Sequence, residues 1–425
     1  MSEMQSTDRE KKNVKMVYTK SFRQLMGVIG NYMAEAKTVA ADPSRLKAWA
    51  TAGFPMELLW SQDVFNLMPE NSAIIAAMSG LSLEMIECSE GIGYCRDLCS
   101  YMKTAMGSYR KELPFEKGGL LTPDYCVATN TICDTHWKWF EIEARRMGVP
   151  YFCFDMPSFV SGSGRDRMDV YTEYVENQIY DYFEFMERNF GIKHDEAKFM
   201  SAMRNSERVT GLWGEIMQMR RRIPSPYLFQ ETMNALFPLA LFIGLERSVE
   251  IFEVIVADLR ERVSRGEGAV QPGEERFRLI WEGIPLWHRT KFYNELLQYG
   301  AVVAYEPYTE SFGMQKRVKA TARETISDLA RCLIHLPYNY NLETRIQYFK
   351  NLIHDYGIHG VILHHNMSCR PSATGLLDLK NAIQTDTGVP VLLLDCDQTD
   401  PRAYSEGQVK TRVEGFIELM EASTR

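Results

Sequence analysis

The sequence predicts an α/β protein built on two parallel sheets, and two observations support this prediction. Residues 361–400 contain two short apolar runs on either side of one helix-periodic segment, which is the pattern of a βαβ unit with strands buried on both faces. Residues 121–155 repeat this arrangement: an apolar run, a loop with a cysteine, a helix, Gly-Val-Pro, and a run that ends in aspartate. We therefore expect two similar parallel-sheet domains of the flavodoxin or Rossmann type.

The N-terminal part of the chain leads into the first of these domains. Residues 1–50 are predicted to be helical, with an apolar stripe from Phe22 to Met33. Phe54–Trp60 is interpreted as a strand or turn that enters the first α/β domain, which is expected to span residues 51–168. The helix of its βαβ unit is predicted to end at Gly148, since glycine is favoured just after the last helical turn.

A helical region is predicted between the two α/β domains, at residues 169–265. Its helical periodicity includes one long segment from Asn234 to Arg265 and is interrupted at residues 222–226, where two prolines disfavour helix. The polar, glycine-rich stretch 265–273 is interpreted as a domain boundary. The second α/β domain then covers residues 276–425.

The composition excludes several classes of function. The chain of 425 residues carries a formal net charge of -8, so nothing in it predicts nucleic acid or an anionic membrane as a partner. No apolar run reaches membrane-spanning length, and the polar N-terminus lacks the apolar core of a signal peptide. We expect a cytoplasmic protein, whose odd number of cysteines, nine, forms no disulfide framework.

Three of the cysteines, Cys99, Cys133 and Cys369, lie beside polar loop or helix-start residues and are candidate ligands. Thiolates at helix N-termini, drawn from distant segments, could hold an iron–sulfur cluster. Cys153 and Cys396, in contrast, lie in apolar strand contexts and are interpreted as small buried side chains. There is no CxxC pair and no HExxH motif, so neither a zinc finger nor a ferredoxin-type site is predicted.

Several motifs resemble those of one family. They are DLCSYMKTAMG, NTICDTHWKWFE, GVPYFCFDMP, EGIPLW, HHNMSCRPSATG, and the terminal block GVPVLLLDCDQTDPRAYSEGQVKTRVEGFIELME. In their order and spacing these stretches are similar to the 2-hydroxyacyl-CoA dehydratase and benzoyl-CoA reductase family, and to its larger, alpha-type subunits. The resemblance runs from about Cys99 to the C-terminus and so covers most of the chain.

The resemblance implies a cofactor, partners and a reaction. In that family each subunit supplies three cysteines to one [4Fe-4S] cluster, and the matching positions are Cys99, Cys133 and Cys369. It also implies a heterodimer with a homologous second subunit, a separate ATP-hydrolysing iron–sulfur activator protein, and an acyl-CoA substrate. In the dehydratases, an injected electron gives a ketyl radical anion of the (R)-2-hydroxyacyl-CoA, which loses hydroxide and then the β proton without net consumption of the electron. In the reductases, the injected electron reduces an aromatic ring.

The motifs leave alternatives within the family. HHNMSCRPSATG and DQTDPR resemble dehydratase large subunits, whereas residues 282–306, Cys332 and YNYNLETR are at least as similar to the reductases. We favour an oxygen-sensitive dehydratase subunit, with a benzoyl-CoA reductase-type subunit as the alternative. A double-cubane electron-transfer homologue is a further alternative, with Cys95 and Cys126 as candidate extra ligands. A nucleotide-binding protein is disfavoured because no glycine-rich phosphate loop follows a strand.

Five other residues are candidates for the site. His364 and His365 are candidate catalytic residues at a strand end, where two adjacent histidines can equally be structural. Glu57 falls where some family members place a carboxylate on the substrate side, and a surface or capping glutamate is the alternative. Arg370 and Ser368 flank a candidate cluster cysteine and are assigned to cofactor binding, with a salt bridge from Arg370 to a helix end as the alternative.

Two further groups of residues are interpreted structurally. Trp137 and Trp139 cannot share one helical face, so one is expected in the core and the other toward the cluster or a partner. Asp395, Asp397 and Asp400 are interpreted as loop and capping residues rather than a metal site.

Overall fold

Two four-stranded parallel sheets organise the computed structural model, which describes residues 14–158, 165–271 and 275–423. The strands are β1 (Lys15–Met16), β2 (Lys47–Ala50), β3 (Phe65–Leu67), β4 (Tyr125–Thr129), β5 (Tyr151–Phe154), β6 (Val270–Gln271), β7 (Phe277–Glu282), β8 (Ala301–Tyr305), β9 (Gly360–Asn366) and β10 (Val391–Cys396). The helices are α1 (Phe22–Ala41), α2 (Met56–Trp60), α3 (Pro69–Met78), α4 (Ser82–Gly91), α5 (Ser100–Arg110), α6 (Asp134–Met147), α7 (Arg165–Phe190), α8 (Glu196–Met219), α9 (Phe229–Leu241), α10 (Glu246–Ser264), α11 (Lys291–Leu296), α12 (Pro307–Glu310), α13 (Ala322–Ile334), α14 (Leu342–Asp355), α15 (Arg370–Ala373), α16 (Leu376–Thr387) and α17 (Glu406–Ser423).

The two sheets have the same connectivity. The strand order is β3-β2-β4-β5 in the first sheet and β10-β9-β7-β8 in the second, so in each sheet the first strand along the chain lies between the second and the third. The third strands, β4 and β9, each lead into a loop that carries a candidate ligand, Cys133 or Cys369. Parallel strands end at the same edge of a sheet, and this is the edge where ligands bind.

The central strands are buried on both faces, as their continuous apolar runs predicted. Every residue of β4 is buried, and in β9 only His365 is exposed. Such strands suit the middle of a parallel sheet that is covered by helices on both sides. The helix after β4, α6, ends at Gly148 in the left-handed conformation, with φ of 69°, which confirms the predicted C-cap.

A buried ion pair joins the predicted helical region, now α7 to α10, to the second sheet. Nη2 of Arg220, which follows α8, lies 2.6 Å from Oε2 of Glu306, which follows β8, and both side chains are fully buried. Thr232 in α9 donates its hydroxyl to Oε1 of the same carboxylate at 2.7 Å. Because the loss of either charged partner would leave an uncompensated buried charge, this contact fixes how the helices pack on the sheet.

The N-terminal prediction needs two corrections. Residues 1–50 are not helical throughout, because Lys47–Ala50 is a strand of the first sheet; residues 1–13 lie outside the described residues. Phe54–Trp60 is not a strand, because Met56–Trp60 forms α2 directly after Pro55. A proline at the start of a helix costs no hydrogen bond and presets the backbone angle, so the apolar residues after it continue as a helix.

The middle of the chain needs one more correction. The predicted long helix from Asn234 to Arg265 is two helices, because the chain turns at Gly244, whose φ of 99° only glycine adopts readily. Within the predicted boundary at 265–273, Val270–Gln271 pairs with Lys15–Met16 as a small antiparallel ribbon. Residues 272 and 273 of that boundary lie outside the described residues. In the described ranges, the helices lack any apolar stretch long enough to cross a membrane.

Substituting Gly107 by alanine tests how closely α5, the helix after Cys99, packs on α4. A Cβ at Gly107 would collide with the backbone oxygen of Met85, so α5 would have to move. We expect a loss of about 1–3 kcal/mol in the free energy of unfolding, or more, measured by urea denaturation. Gly211→Ala in α8, where a Cβ meets nothing within 4 Å, is the control and should be neutral or slightly stabilising. Equal stability of the two variants would contradict this packing.

Candidate active site

One cavity of about 620 Å³ brings the three candidate ligands together. Cys99, Cys133 and Cys369 all line it, although they come from three distant segments of the chain. Their thiols are close enough that the negative charges of Cys369 and Cys133 would raise the pKa of Cys99. The fold therefore brings together the three cysteines that were predicted from the sequence as candidate ligands.

Each of the three cysteines immediately precedes a helix. Cys99 is the N-cap of α5, Cys133 of α6 and Cys369 of α15. Backbone amides in the first helical turns favour the charged thiolates, and they are Met102 for Cys99, Thr135 and His136 for Cys133, and Ser372 for Cys369. Helix N-termini are suited to stabilising anionic sulfur, so the three candidate ligands share one kind of support.

Burial opposes ionisation of these thiols. Desolvation is the main cause that raises the pKa of Cys99 and of Cys133, and it raises the pKa of Cys369 to about 12. Near neutral pH the thiols are therefore protonated unless a cation binds them. A metal bound by these thiols would have to displace their protons.

The loop after β10 forms hydrogen bonds that connect the segments carrying the cysteines. Asp397 accepts hydrogen bonds from the backbone N–H groups of Thr399 and Asp400, each at 2.9 Å, and from the hydroxyl of Ser368. Ser368 Oγ in turn accepts from the backbone N–H of Ser100 at 3.1 Å, next to Cys99. These contacts tie the Cys99 and Cys369 segments together.

Gln398, in the same loop, contacts a cysteine directly. Its Nε2 lies 3.8 Å from Sγ of Cys99, to which it donates a hydrogen bond. Sequence reasoning missed Gln398, although it lies in the DQTD stretch of the most specific family motif. Asp397 and Asp400 act as loop and capping residues, as predicted, whereas Asp395 lies within β10 and pairs with Arg412.

A polar wall lies beside the thiols. Trp287 donates its indole N–H to the hydroxyl of Tyr101, whose oxygen lies 3.4 Å from the hydroxyl of Tyr308. All three line the cavity. Because Trp287 and Tyr308 belong to the second half of the chain and Tyr101 to the first, the wall joins both halves.

Glu70 and His136 form a buried pair in the cavity wall. Oε1 of Glu70 lies 3.1 Å from Nε2 of His136 and accepts the backbone N–H of Ala52 at 2.9 Å. Its other oxygen, Oε2, has no hydrogen-bond partner among the described residues. Desolvation raises the pKa of Glu70 to about 7 and lowers the pKa of His136 to about 4. Glu70 is thus a carboxyl that can exchange a proton near neutral pH.

Sequence reasoning missed Glu70 and left His136 unassigned. A signal for Glu70 was present, because it is the one charged residue of α3, PENSAIIAAM. A lone carboxylate at the start of an apolar helix is expensive to bury and therefore marks a functional candidate.

The predicted catalytic residues lie outside the cavity. His364 is buried, donates Nδ1–H to the backbone oxygen of Ile284 at 2.7 Å, and has its pKa lowered to about 4 by desolvation. His365 faces the other side of β9, where its Nδ1 lies 2.7 Å from Asp395 Oδ1. Glu57 is buried in an ion pair with Lys316. Their catalytic roles stay predictions, and none of the three side chains lines the cavity.

The predicted cofactor-binding residues make contacts with the protein itself. Arg370 Nη2 lies 3.3 Å from Oδ1 of Asp134, the first residue of α6, so the alternative of a salt bridge to a helix end describes its contact. Ser368 bridges the two cysteine segments as described above. Of the tryptophans, Trp139 is buried and Trp137 is 42% exposed, which confirms that they occupy different faces.

The three cysteines are soft sulfur donors, the kind of ligand that iron–sulfur clusters use. Among the described residues, no group of three or more His, Cys, Asp or Glu side chains is arranged to hold one metal ion. In a cluster each thiolate binds a different iron, so the thiols need not converge on one point. Three soft sulfur donors at helix N-termini match that requirement.

The fold and the site together define an α/β protein that gathers three helix-capping thiols around one cavity. The family described as 2-hydroxyglutaryl-CoA dehydratase, D-component, matches residues 51–420, and the chain belongs to this family. The resemblance seen in the sequence motifs is thereby confirmed.

Characterised relatives include both branches of the family. The chain is 27% identical to the (R)-phenyllactyl-CoA dehydratase alpha subunit of Clostridium sporogenes, over 88% of this chain and 89% of the relative. It is 27% identical to the (R)-2-hydroxyisocaproyl-CoA dehydratase alpha subunit of Clostridioides difficile, over 90% and 92%. It is also 25% identical to one of the subunits of the Thauera aromatica benzoyl-CoA reductase, over 86% of each chain.

Glu70→Gln tests the buried carboxyl through the pH dependence of stability. The pKa of Glu70 rises from 4.5 to about 7 on folding. Between these two pH values the unfolded chain therefore releases a proton that the folded chain keeps. Stability of the original protein should fall as pH rises through the window, and the glutamine variant should lose about 3 kcal/mol less in the free energy of unfolding.

Urea unfolding of iron-free protein between about pH 5 and pH 8 measures this difference. Glu84→Gln, on the exposed face of α4, is the control and should leave the pH dependence unchanged. Identical pH profiles for Glu70→Gln and the original protein would show that Glu70 ionises normally in the fold.

Proposed function

We propose that this chain is the iron–sulfur subunit of an oxygen-sensitive dehydratase that eliminates water from an (R)-2-hydroxyacyl-CoA by a radical route. The observation that carries the proposal is the position of Cys99, Cys133 and Cys369, each the N-cap of a helix, on the wall of one cavity. The match of the family to residues 51–420 supports the same reaction class.

The three cysteines would hold a [4Fe-4S] cluster. When bound, the cluster supplies a low-potential electron and one iron, free of cysteine, that can act as a Lewis acid. The amides of the helix N-termini and Nε2 of Gln398 support the sulfur atoms, and Gln398 contacts Cys99 directly.

The cavity walls would position the substrate and move its protons. Glu70 has one oxygen, Oε2, without a hydrogen-bond partner among the described residues, and a pKa of about 7; because Oε2 is buried, a rotation of the side chain would turn it toward the substrate, where it could accept a proton and return one to the departing hydroxide. Tyr101 and Tyr308, beside the thiols, can donate hydrogen bonds to the acyl oxygen atoms.

The proposal includes two protein partners. The relatives are alpha subunits of dehydratases and a subunit of a reductase, which supports a heterodimer with a homologous second subunit. An ATP-hydrolysing iron–sulfur activator protein would deliver the electron to the assembled enzyme.

A benzoyl-CoA reductase-type subunit is the second candidate, because the match to that relative covers nearly as much of the chain. The stoichiometry of reductant distinguishes the two reactions, since ring reduction consumes electrons on each turnover and dehydration does not. The geometry disfavours a double cluster: Cys95 is exposed, Cys126 is buried in β4, and neither lines the cavity.

Replacing one of the three candidate cluster cysteines tests the observation on which the proposal rests, that these cysteines meet at one cavity. Cys369→Ala should remove the visible absorbance and iron of protein purified without oxygen, because the thiol set becomes incomplete, while the fold persists. Cys396→Ala is the matched control, since Cys396 is buried in β10 outside the cavity and should retain the iron. Circular dichroism checks that both variants are folded. An unchanged spectrum in Cys369→Ala would remove the basis of the proposal.

Activity is tested with the chain and its second subunit, produced together and mixed with the activator protein, ATP and a reductant. We expect 2-hydroxyacyl-CoA to be converted to enoyl-CoA with only catalytic reductant. Stoichiometric consumption of reductant with benzoyl-CoA, and no dehydration, would favour the second candidate.

A further inference from the structure

The part of the cavity beyond the thiols is lined by apolar side chains from three helices. α1 contributes Phe22 and Met33, α3 contributes Ile74 and Met78, and α9 contributes Met233 and Phe237. The lining therefore includes polar side chains, those of the cysteines, Glu70 and the tyrosines, and mainly apolar side chains from these three helices, which also contribute Asn71, Gln230 and Asn234; we call the part formed by the three helices the apolar region.

The apolar region offers no buried cation among the described residues. The charged residues that line the cavity are Glu70, Glu116 and Lys291. Lys291 is exposed at the surface, and Glu116 is largely exposed and pairs with Lys37 at 3.6 Å. His136 already pairs with Glu70. An acyl group with a second carboxylate would find no buried cation here, only the exposed Lys291, and burying a carboxylate among apolar side chains away from a cation is strongly unfavourable.

The composition of the region favours a large acyl side chain. A methyl group would leave the apolar side chains of α1, α3 and α9 uncovered, and uncovered apolar walls forfeit binding energy. Five methionines and three phenylalanines line the cavity. Flexible thioethers adapt to apolar groups of different shapes and make favourable contacts with aromatic rings.

We propose that the acyl group of the substrate carries a bulky apolar side chain, aromatic or branched aliphatic, which packs between α1, α3 and α9. This inference rests on the proposed function and names the substrate class of that same cavity. The α-carbon and the thioester then lie at the polar end, beside the thiols and Glu70.

Binding to the anaerobically purified two-subunit enzyme, without activator and therefore without turnover, tests the inference. The probes are phenyllactyl-CoA, 2-hydroxyisocaproyl-CoA, 2-hydroxyglutaryl-CoA and lactoyl-CoA, measured by titration calorimetry. We expect the first two to bind at least about tenfold more tightly than the last two.

Two variants locate the binding region. Ile74→Arg places a permanent cation in the apolar wall. It should weaken the binding of phenyllactyl-CoA and strengthen the binding of 2-hydroxyglutaryl-CoA, each by about tenfold. Phe237→Ala, which adds no charge, should weaken the binding of phenyllactyl-CoA by about tenfold and leave the affinity for lactoyl-CoA unchanged. Ile142→Arg, on an exposed position of α6 outside the cavity, is the control and should change neither affinity.

The outcomes separate this inference from the proposed function. Equal or tighter binding of 2-hydroxyglutaryl-CoA or lactoyl-CoA would overturn the inferred substrate class and leave the dehydratase proposal intact. Failure of all four probes to bind would overturn both. Loss of the second subunit from Ile74→Arg, but not from Ile142→Arg, would show that the wall is a subunit interface and would also overturn the inference.

Discussion

The site depends on one constraint, which is that three buried thiols from distant segments must converge on one cavity. Burial raises the pKa of all three, so the folded chain alone holds them as neutral thiols. The proposed cluster would have to offset the desolvation of the thiolates, and the amides of three helix N-termini would contribute to that. The rest of the fold brings Cys99, Cys133 and Cys369 to that position.

The two sheets and the loops between them meet this constraint. The third strand of each sheet, β4 or β9, delivers one cysteine at its carboxyl end, and the crossover between β3 and β4 delivers Cys99. Ser368 and Asp397 then join the segments by hydrogen bonds. In our proposal, the polar wall serves the chemistry and the apolar side chains of α1, α3 and α9 recognise the acyl group.

Local signals in the sequence predicted the parts of this arrangement that depend on near neighbours. Adjacent residues are enough to identify the cysteines beside helix starts, the continuous apolar strands and the glycine after α6. Gln398 and Tyr308 were missed, because their importance arises from packing between segments that are far apart in the chain, whereas Glu70 was missed although its place as the one charged residue of an apolar helix is a local signal. The strand at Lys47–Ala50 was missed because its pairing with β3 and β4, and not its own composition, makes it a strand.

The central claim is that these three cysteines hold one cluster. Iron and acid-labile sulfide per chain, measured on protein purified without oxygen together with its second subunit, test it most directly. We predict about four of each in this chain. About eight would indicate a double cluster, and essentially none in a folded protein would show that the family fold persists here without its chemistry; either result would contradict the claim.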